Sequence, residues 1–77
     1  MTVKIKIFGQ LADIIRQHEL SVENVTDTDS LVKEMKQQYP AMASAKFMLA
    51  VDRKITRENV LLKEGNVVAL LPPFSGG

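Results

Sequence analysis

The sequence predicts an α+β fold, with one main helix laid across a mixed sheet of four to five strands and a short second helix. Three observations predict it. Residues 2–8 alternate Val3, Ile5 and Ile7 with Lys4 and Lys6, the period of two that marks a half-buried strand. Leu31, Val32, Met35 and Tyr39 recur at helical spacing after Asp27, a good helix N-cap. Val67–Leu71 is a nearly unbroken apolar run, as in a central strand covered on both faces or one giving a face to a partner.

The remaining elements fall between these three. Phe8 is out of phase with the apolar face of the first strand and lies on the lysine side, and Gly9 ends the strand. Residues 10–17 carry Leu11, Ile14 and Ile15, a short helical stripe suited to closing one end of a core. His18 and Glu19 make a polar turn, and Leu20, Val22 and Val25 suggest a second strand paired with the first. The main helix is placed at 28–38. Asp29 lies in its first turn, where the macrodipole favours negative charge, and Pro40 disfavours helical backbone at Tyr39. Residues 41–46 read as a loop. Phe47, Leu49 and Val51 alternate with Met48 and Ala50 as a third strand. Asp52-Arg53-Lys54 reads as a solvated turn, and Ile55-Thr56 as a short fourth strand. Val60, Leu61 and Leu62 read as a brief apolar turn packed inward, and Glu64 serves the tight turn at Gly65-Asn66.

A hairpin, a helix crossing one face and a last strand parallel to the first make a right-handed crossover, the β-grasp arrangement. A split βαβ sandwich requires two comparable helices, and residues 10–17 are too few for that. Residues 1–71 are read as a single domain and residues 72–77 as an extended flexible tail. A chain of 77 residues makes one domain and buries only about 60% of the surface its unfolded form exposes.

Composition excludes several functions. The net charge is +1, with cations scattered singly, so neither a nucleic-acid stripe nor a polybasic membrane patch is expected. The absence of cysteine excludes a disulfide scaffold, a thiolate nucleophile and a cysteine-built zinc site. No metal site and no bound cofactor are expected. Lys4 and Lys6 interrupt the first apolar run, so no signal peptide or membrane span is expected, and the cytoplasm is the expected location. His18 stands alone, and no catalytic constellation is present in the sequence.

The chemistry is expected at Pro72-Pro73-Phe74-Ser75-Gly76-Gly77. Neither proline nitrogen can donate a ladder hydrogen bond, so the strand stops there and the following backbone is stiff. At about 3.3 Å per residue, the six residues reach roughly 20 Å when extended. The last two residues lack Cβ atoms, so a carboxylate on Gly77 can enter a narrow pocket on another protein. Phe8, Leu71, Pro72, Pro73 and Phe74 are the candidate partner-binding residues. An aromatic residue beside a rigid segment often dominates an interface, and such a tail is best recognised as extended main chain in a groove. For Phe8 the other reading is core packing against residues 10–17.

The chain resembles the small, sulfur-carrier subunit of molybdopterin synthase, a ubiquitin-like family. The likeness is carried by Val3–Phe8 with Gly9-Gln10-Leu11, by Tyr39-Pro40, by Leu49-Ala50-Val51, and by Glu64-Gly65-Asn66-Val67-Val68-Ala69 running into Leu71-Pro72-Pro73-Phe74-Ser75-Gly76-Gly77. Asp52 stands where the family usually has Asn, and Phe74 where it usually has Val. The resemblance implies that Gly77 is the reacting residue, adenylated by an E1-like enzyme with ATP and then converted to a thiocarboxylate. Ser75 and Gly76 would line the passage of the tail into the large subunit. That subunit holds the pterin precursor, in a heterotetramer of two small and two large chains. The small chain is then a non-catalytic, sulfur-donating subunit of molybdenum cofactor biosynthesis. Two other readings share the fold and the Gly-Gly end: a sulfur carrier for thiamine thiazole synthesis, and a ubiquitin-like protein modifier.

Overall fold

The structure is a computed structural model, and it describes residues 2–73. The alternation at the start becomes β1 (Thr2–Ile7), with Val3, Ile5 and Ile7 buried on one face and Lys4 and Lys6 exposed on the other. β2 (Glu19–Glu23) runs antiparallel beside it, with Val22 opposite Val3 and Leu20 opposite Ile5. Val25, read with this strand, is buried just beyond its end. β5 (Val67–Leu71) pairs with the other edge of β1 and is parallel to it, with Val68 opposite Ile5 and Leu70 opposite Ile7. β3 (Met48–Val51) lies antiparallel to β5, and β4 (Lys54–Thr56) closes the far edge. The five-stranded order β2-β1-β5-β3-β4 is the β-grasp arrangement, as expected.

The last strand differs from a strand covered on both faces. Val68 and Leu70 are fully buried, whereas Val67, Ala69 and Leu71 on the opposite face are only half-buried. One face of the sheet is packed and the other open.

α2 (Thr28–Gln38) covers the packed face, with the residue limits the sequence predicts. Leu31 and Met35 enter the core, while Val32, placed on the same stripe by spacing alone, stays at its margin. Capping sets the helix start. The Ser30 N–H donates to Asp27 Oδ1 (2.9 Å), and the Asp27 N–H donates to Ser30 Oγ (3.3 Å), a reciprocal capping box. Asn59 Nδ2 donates to Asp27 Oδ2 (3.0 Å), and Asn59 Oδ1 accepts from the Asp29 N–H (2.9 Å). Buried Thr28 donates to Asn59 Oδ1 through its hydroxyl and accepts from the Val60 N–H (2.9 Å). The segment leading into β5 is thereby pinned to the first turn of α2. That segment buries Leu62 and leaves Leu61 76% exposed, which corrects the reading of all three apolar residues as inward.

The Ser30 hydroxyl, the Asn59 amide and the Ser30 N–H favour ionised Asp27 and hold its carboxyl below the usual carboxylate range. A carboxyl lowered on folding stabilises the folded state above its unfolded pKa, and that contribution fades as pH falls through the carboxylate range. In Asp27→Asn, the stability gap to wild type is therefore expected to shrink between about pH 6 and about pH 3. Urea melts across that range check this, and a constant gap would contradict it.

Two further differences have local causes. Residues expected to form a plain loop contain a 3₁₀ turn (Pro40–Ala43) that buries Met42 completely. α1 (Gln10–Ile15) is shorter than residues 10–17, because Arg16 takes left-handed backbone with its N–H bonded to the Ala12 carbonyl. The turn between β3 and β4 is also more than a solvated turn. Asp52 and Arg53 both have positive φ (49° and 73°), the backbone a tight hairpin requires. Asp52 Oδ1 accepts from the Val67 N–H (2.9 Å) and Oδ2 from Asn66 Nδ2 (2.6 Å). The Asp at this position thus ties the hairpin to the start of β5. Glu64 reaches beyond its own turn and accepts from the Thr2 N–H through Oε1 (3.1 Å).

Candidate docking face and tail base

The open face of the sheet collects apolar side chains from three strands and the residue after β1. Phe8 continues the lysine-side phase of β1, and its N–H still donates to the Leu70 carbonyl (3.1 Å). Its side chain is 46% exposed, which places it on the open face rather than in the core. Phe8 borders a shallow depression with Lys6, Val67 and Ala69, and Asp52 and Arg53 close its far side. Across β5, Ala50 lies opposite Ala69, and Met48 lies opposite Leu71. Ile55, 52% exposed, pairs with Ala50 at the β4 edge.

Two small side chains lie in the middle of this face, Ala50, which is buried, and Ala69, which is half-buried, and larger ones stand at its ends. Such a contiguous patch on a small domain suits a protein partner. The sequence singled out Phe8 and Leu71 here. It did not single out Val67, Ala69, Met48 or Ile55. The alternation within Val67–Leu71 was the available signal, but an apolar run hides its own phase.

The tail leaves from one end of this face. Leu71 closes β5, and Pro72, half-buried, follows it directly. Two clefts flank the prolines. One lies beside Pro73 and is lined by Phe47, Met48, Leu49, Thr56 and Arg57. The other lies against Pro72 and Pro73 and is bounded by Leu11 and Ile14 on one side and Ser44 and Lys46 on the other. Phe74, Ser75, Gly76 and Gly77 lie outside the described residues.

Among the described residues, no group of three or more His, Cys, Asp or Glu side chains is placed to hold a metal ion, and no helix is long and apolar enough to cross a membrane. His18, Asp52 and Glu64 are not brought together: His18 lies between α1 and β2, while the two carboxylates serve backbone N–H groups.

Comparison with known proteins agrees with this geometry. The model of the ThiS family matches residues 5–77. The molybdopterin synthase sulfur carrier subunit of Mycobacterium tuberculosis is 30% identical, an alignment covering 97% of this chain and 96% of that protein. Its counterpart in Caenorhabditis briggsae is also 30% identical, over 100% of this chain and 99% of that protein. Among solved structures, a chain of the protein–protein complex of subunits 1 and 2 of the molybdopterin-converting factor from Helicobacter pylori superposes with a TM-score of 0.63 at 24% identity, covering 100% of both chains. The chain belongs to the ThiS family, ubiquitin-like β-grasp proteins that include the molybdopterin synthase sulfur carrier subunits.

Proposed function

We propose that the chain is the sulfur carrier of a molybdopterin synthase. The observation that carries this reading is the match to a curated sulfur carrier subunit at 30% identity along 97% of the chain. The Pro72-Pro73 exit from β5 and the Gly76-Gly77 end supply a chemical rationale.

In this reading a Gly77 carboxylate oxygen attacks the α-phosphorus of ATP on an E1-like partner and pyrophosphate leaves. Sulfide, released as HS⁻ by a donor, then attacks the acyl carbon; the C–S bond forms as the C–O bond to AMP breaks, and AMP leaves. The product is a thiocarboxylate, a nucleophile that needs no side chain, consistent with the absence of cysteine. In the large subunit its sulfur attacks a carbon of the pterin precursor as that carbon's bond to an oxygen leaving group breaks. Water then cleaves the resulting acyl–sulfur bond, leaving the sulfur on the pterin and returning the carboxylate. This chain's contribution is delivery and positioning. Acid–base groups belong to its partners, no cofactor stays bound to it, and a cytoplasmic assembly of two small and two large subunits is the proposed form.

The open face around Phe8 and Leu71 is the proposed seat of the large subunit, because it is the apolar face beside the base of the tail. Phe8→Asp places a charge on an exposed side chain of that face while leaving the core untouched. Association with the large subunit is expected to weaken by about 30-fold or more, with the melting temperature within a few degrees of wild type. Titration calorimetry and a thermal melt check both halves, and unchanged affinity would move the interface elsewhere.

The function itself is tested by intact mass. After incubation with ATP, an activating enzyme and a sulfur donor, the chain is expected to gain the mass of one oxygen replaced by sulfur. The gain is expected to reverse only with both large subunit and precursor. A gain without that reversal would point to another acceptor, such as a thiazole-forming pathway. No gain, with the chain instead found linked to lysines of other proteins, would make it a modifier.

A further inference from the structure

The parallel ladder between β1 and β5 runs from Lys4 opposite Val67 to Ile7 opposite Leu70. Continued by two residues, the same register sets Gly9 opposite Pro72. There the ladder has to stop, because Pro72 has no N–H to donate. The two chains separate at this point, one entering α1 and the other becoming the tail. They remain in contact across it.

Gly9 has φ 62° and ψ −142°, backbone open almost only to glycine, and its carbonyl accepts from the Ala12 N–H (3.1 Å) at the start of α1. The Pro72 ring lies on the bare Cα side of this residue. A Cβ added to Gly9 would stand 2.8 Å from Pro72 Cγ and 3.3 Å from Cδ, both atoms of a rigid ring, and 3.6 Å from Cβ. Glycine is required here twice, by the backbone angle and by the ring.

We propose that Gly9 is a positioning residue: it seats the Pro72 ring and so sets the direction in which the tail leaves the domain, between the cleft at Thr56–Arg57 and the cleft at Ser44–Lys46. The two residues are 63 positions apart in sequence, so the seat ties the tail base to the start of the chain. A ring held on one side limits the arc available to the chain beyond it. Delivery of an end group into a partner's pocket benefits from such a limit, since small misplacements of a reacting atom cost large factors in rate. The functional part of this inference rests on the sulfur-carrier reading, whereas the seat itself does not.

The absence of cysteine permits a direct test. A nitroxide on Ser75→Cys broadens the amide signals near which the tail spends time. In the parent the broadening is expected mainly at one of the two clefts. In Gly9→Ala it is expected to shift or spread to the other. Adding Pro72→Ala removes Cγ and Cδ, the two closest atoms, and leaves the Cβ contact at 3.6 Å. The double variant is therefore expected to differ from Pro72→Ala alone by less than Gly9→Ala differs from the parent. Backbone strain at residue 9, by contrast, lowers the melting temperature equally in both backgrounds.

Unchanged broadening in Gly9→Ala, or equal changes in both backgrounds, would overturn the proposal. Should Gly9→Ala fail to fold, Pro72→Ala set against Pro73→Ala decides it: each frees one proline φ, and the pattern spreads more in Pro72→Ala if its ring is seated on Gly9 and equally in both if it is not. With large subunit and precursor, Gly9→Ala is expected to lower kcat/KM for sulfur transfer about tenfold, largely recovered relative to Pro72→Ala in the double variant. If the parent transfers no sulfur at all, the functional reading fails while the broadening experiment still decides the seat.

Discussion

A chain ending at Ser75, without Gly76 and Gly77, is expected to melt within a few degrees of wild type, and sulfur transfer to the precursor is expected to fall at least about a thousandfold. Both halves follow from where the molecule keeps its stability. Among the described residues, the buried cluster runs from Val3 to Leu70, and neither Pro72 nor Pro73 belongs to it. The proposed reaction, in contrast, uses a carboxylate with no Cβ nearby and enough reach to enter another protein. Ser75 as the last residue shortens that reach by roughly 7 Å and puts a side chain at the reacting carbon. Intact mass after activation and single-turnover transfer with the large subunit give the two readouts. Full transfer by the truncated chain would remove the terminal carboxylate from the mechanism. A milder variant, Gly77→Ala, separates reach from bulk: it preserves length, so any loss reports the cost of a Cβ in the partner's passage.

Much of the fold was legible because period and capping agree. The lysines at positions 4 and 6 mark the open face of β1, and the Asp27 cap with Pro40 brackets α2. The failures share a cause. Apolar runs have no internal phase, so Leu61 looked like core beside Leu62, and Val32 looked like core beside Leu31. The 3₁₀ turn that buries Met42 has no period long enough to read. The role of Asp52 depends on Val67, 15 residues away, and no local pattern carries that information.

The site divides in the same way. Phe8 stood out because it breaks the alternation of β1, and the prolines because they stop a strand. Gly9 did not stand out as more than a strand breaker, since its partner Pro72 is adjacent only through the register of a parallel pair. Met48, Ala50 and Ile55 join the open face through two antiparallel registers. The chemistry proposed for the tail rests on its composition, whereas the open face beside its base is a product of topology.

Leu70→Ala and Leu71→Ala, neighbours on one strand, are expected to have opposite consequences. Leu70 is 0% exposed, directly opposite Ile7 and Leu49, and belongs to the buried cluster. Truncating such a leucine typically costs about 3–4 kcal/mol, from lost burial and the cavity left behind. In a domain of this size that corresponds to a fall in melting temperature of about 15–25 °C. With a total stability of about 4–12 kcal/mol for the chain, a large part of the folded margin would be gone. Leu71 faces the other way, half-buried opposite Met48 at the edge of the proposed docking face. Its truncation is expected to cost about 1 kcal/mol or less in stability and to weaken association with the large subunit about tenfold. Thermal melts and binding titrations on the two variants decide between this division and its alternative. If Leu71→Ala destabilised the fold as much as Leu70→Ala, the open face would be part of the core, and the tail would have no separate seat for a partner at its base. If Leu70→Ala weakened binding while the fold held, the two faces of β5 would be coupled. The strand that closes the core would then also transmit strain to the Pro72 ring and the tail beyond it.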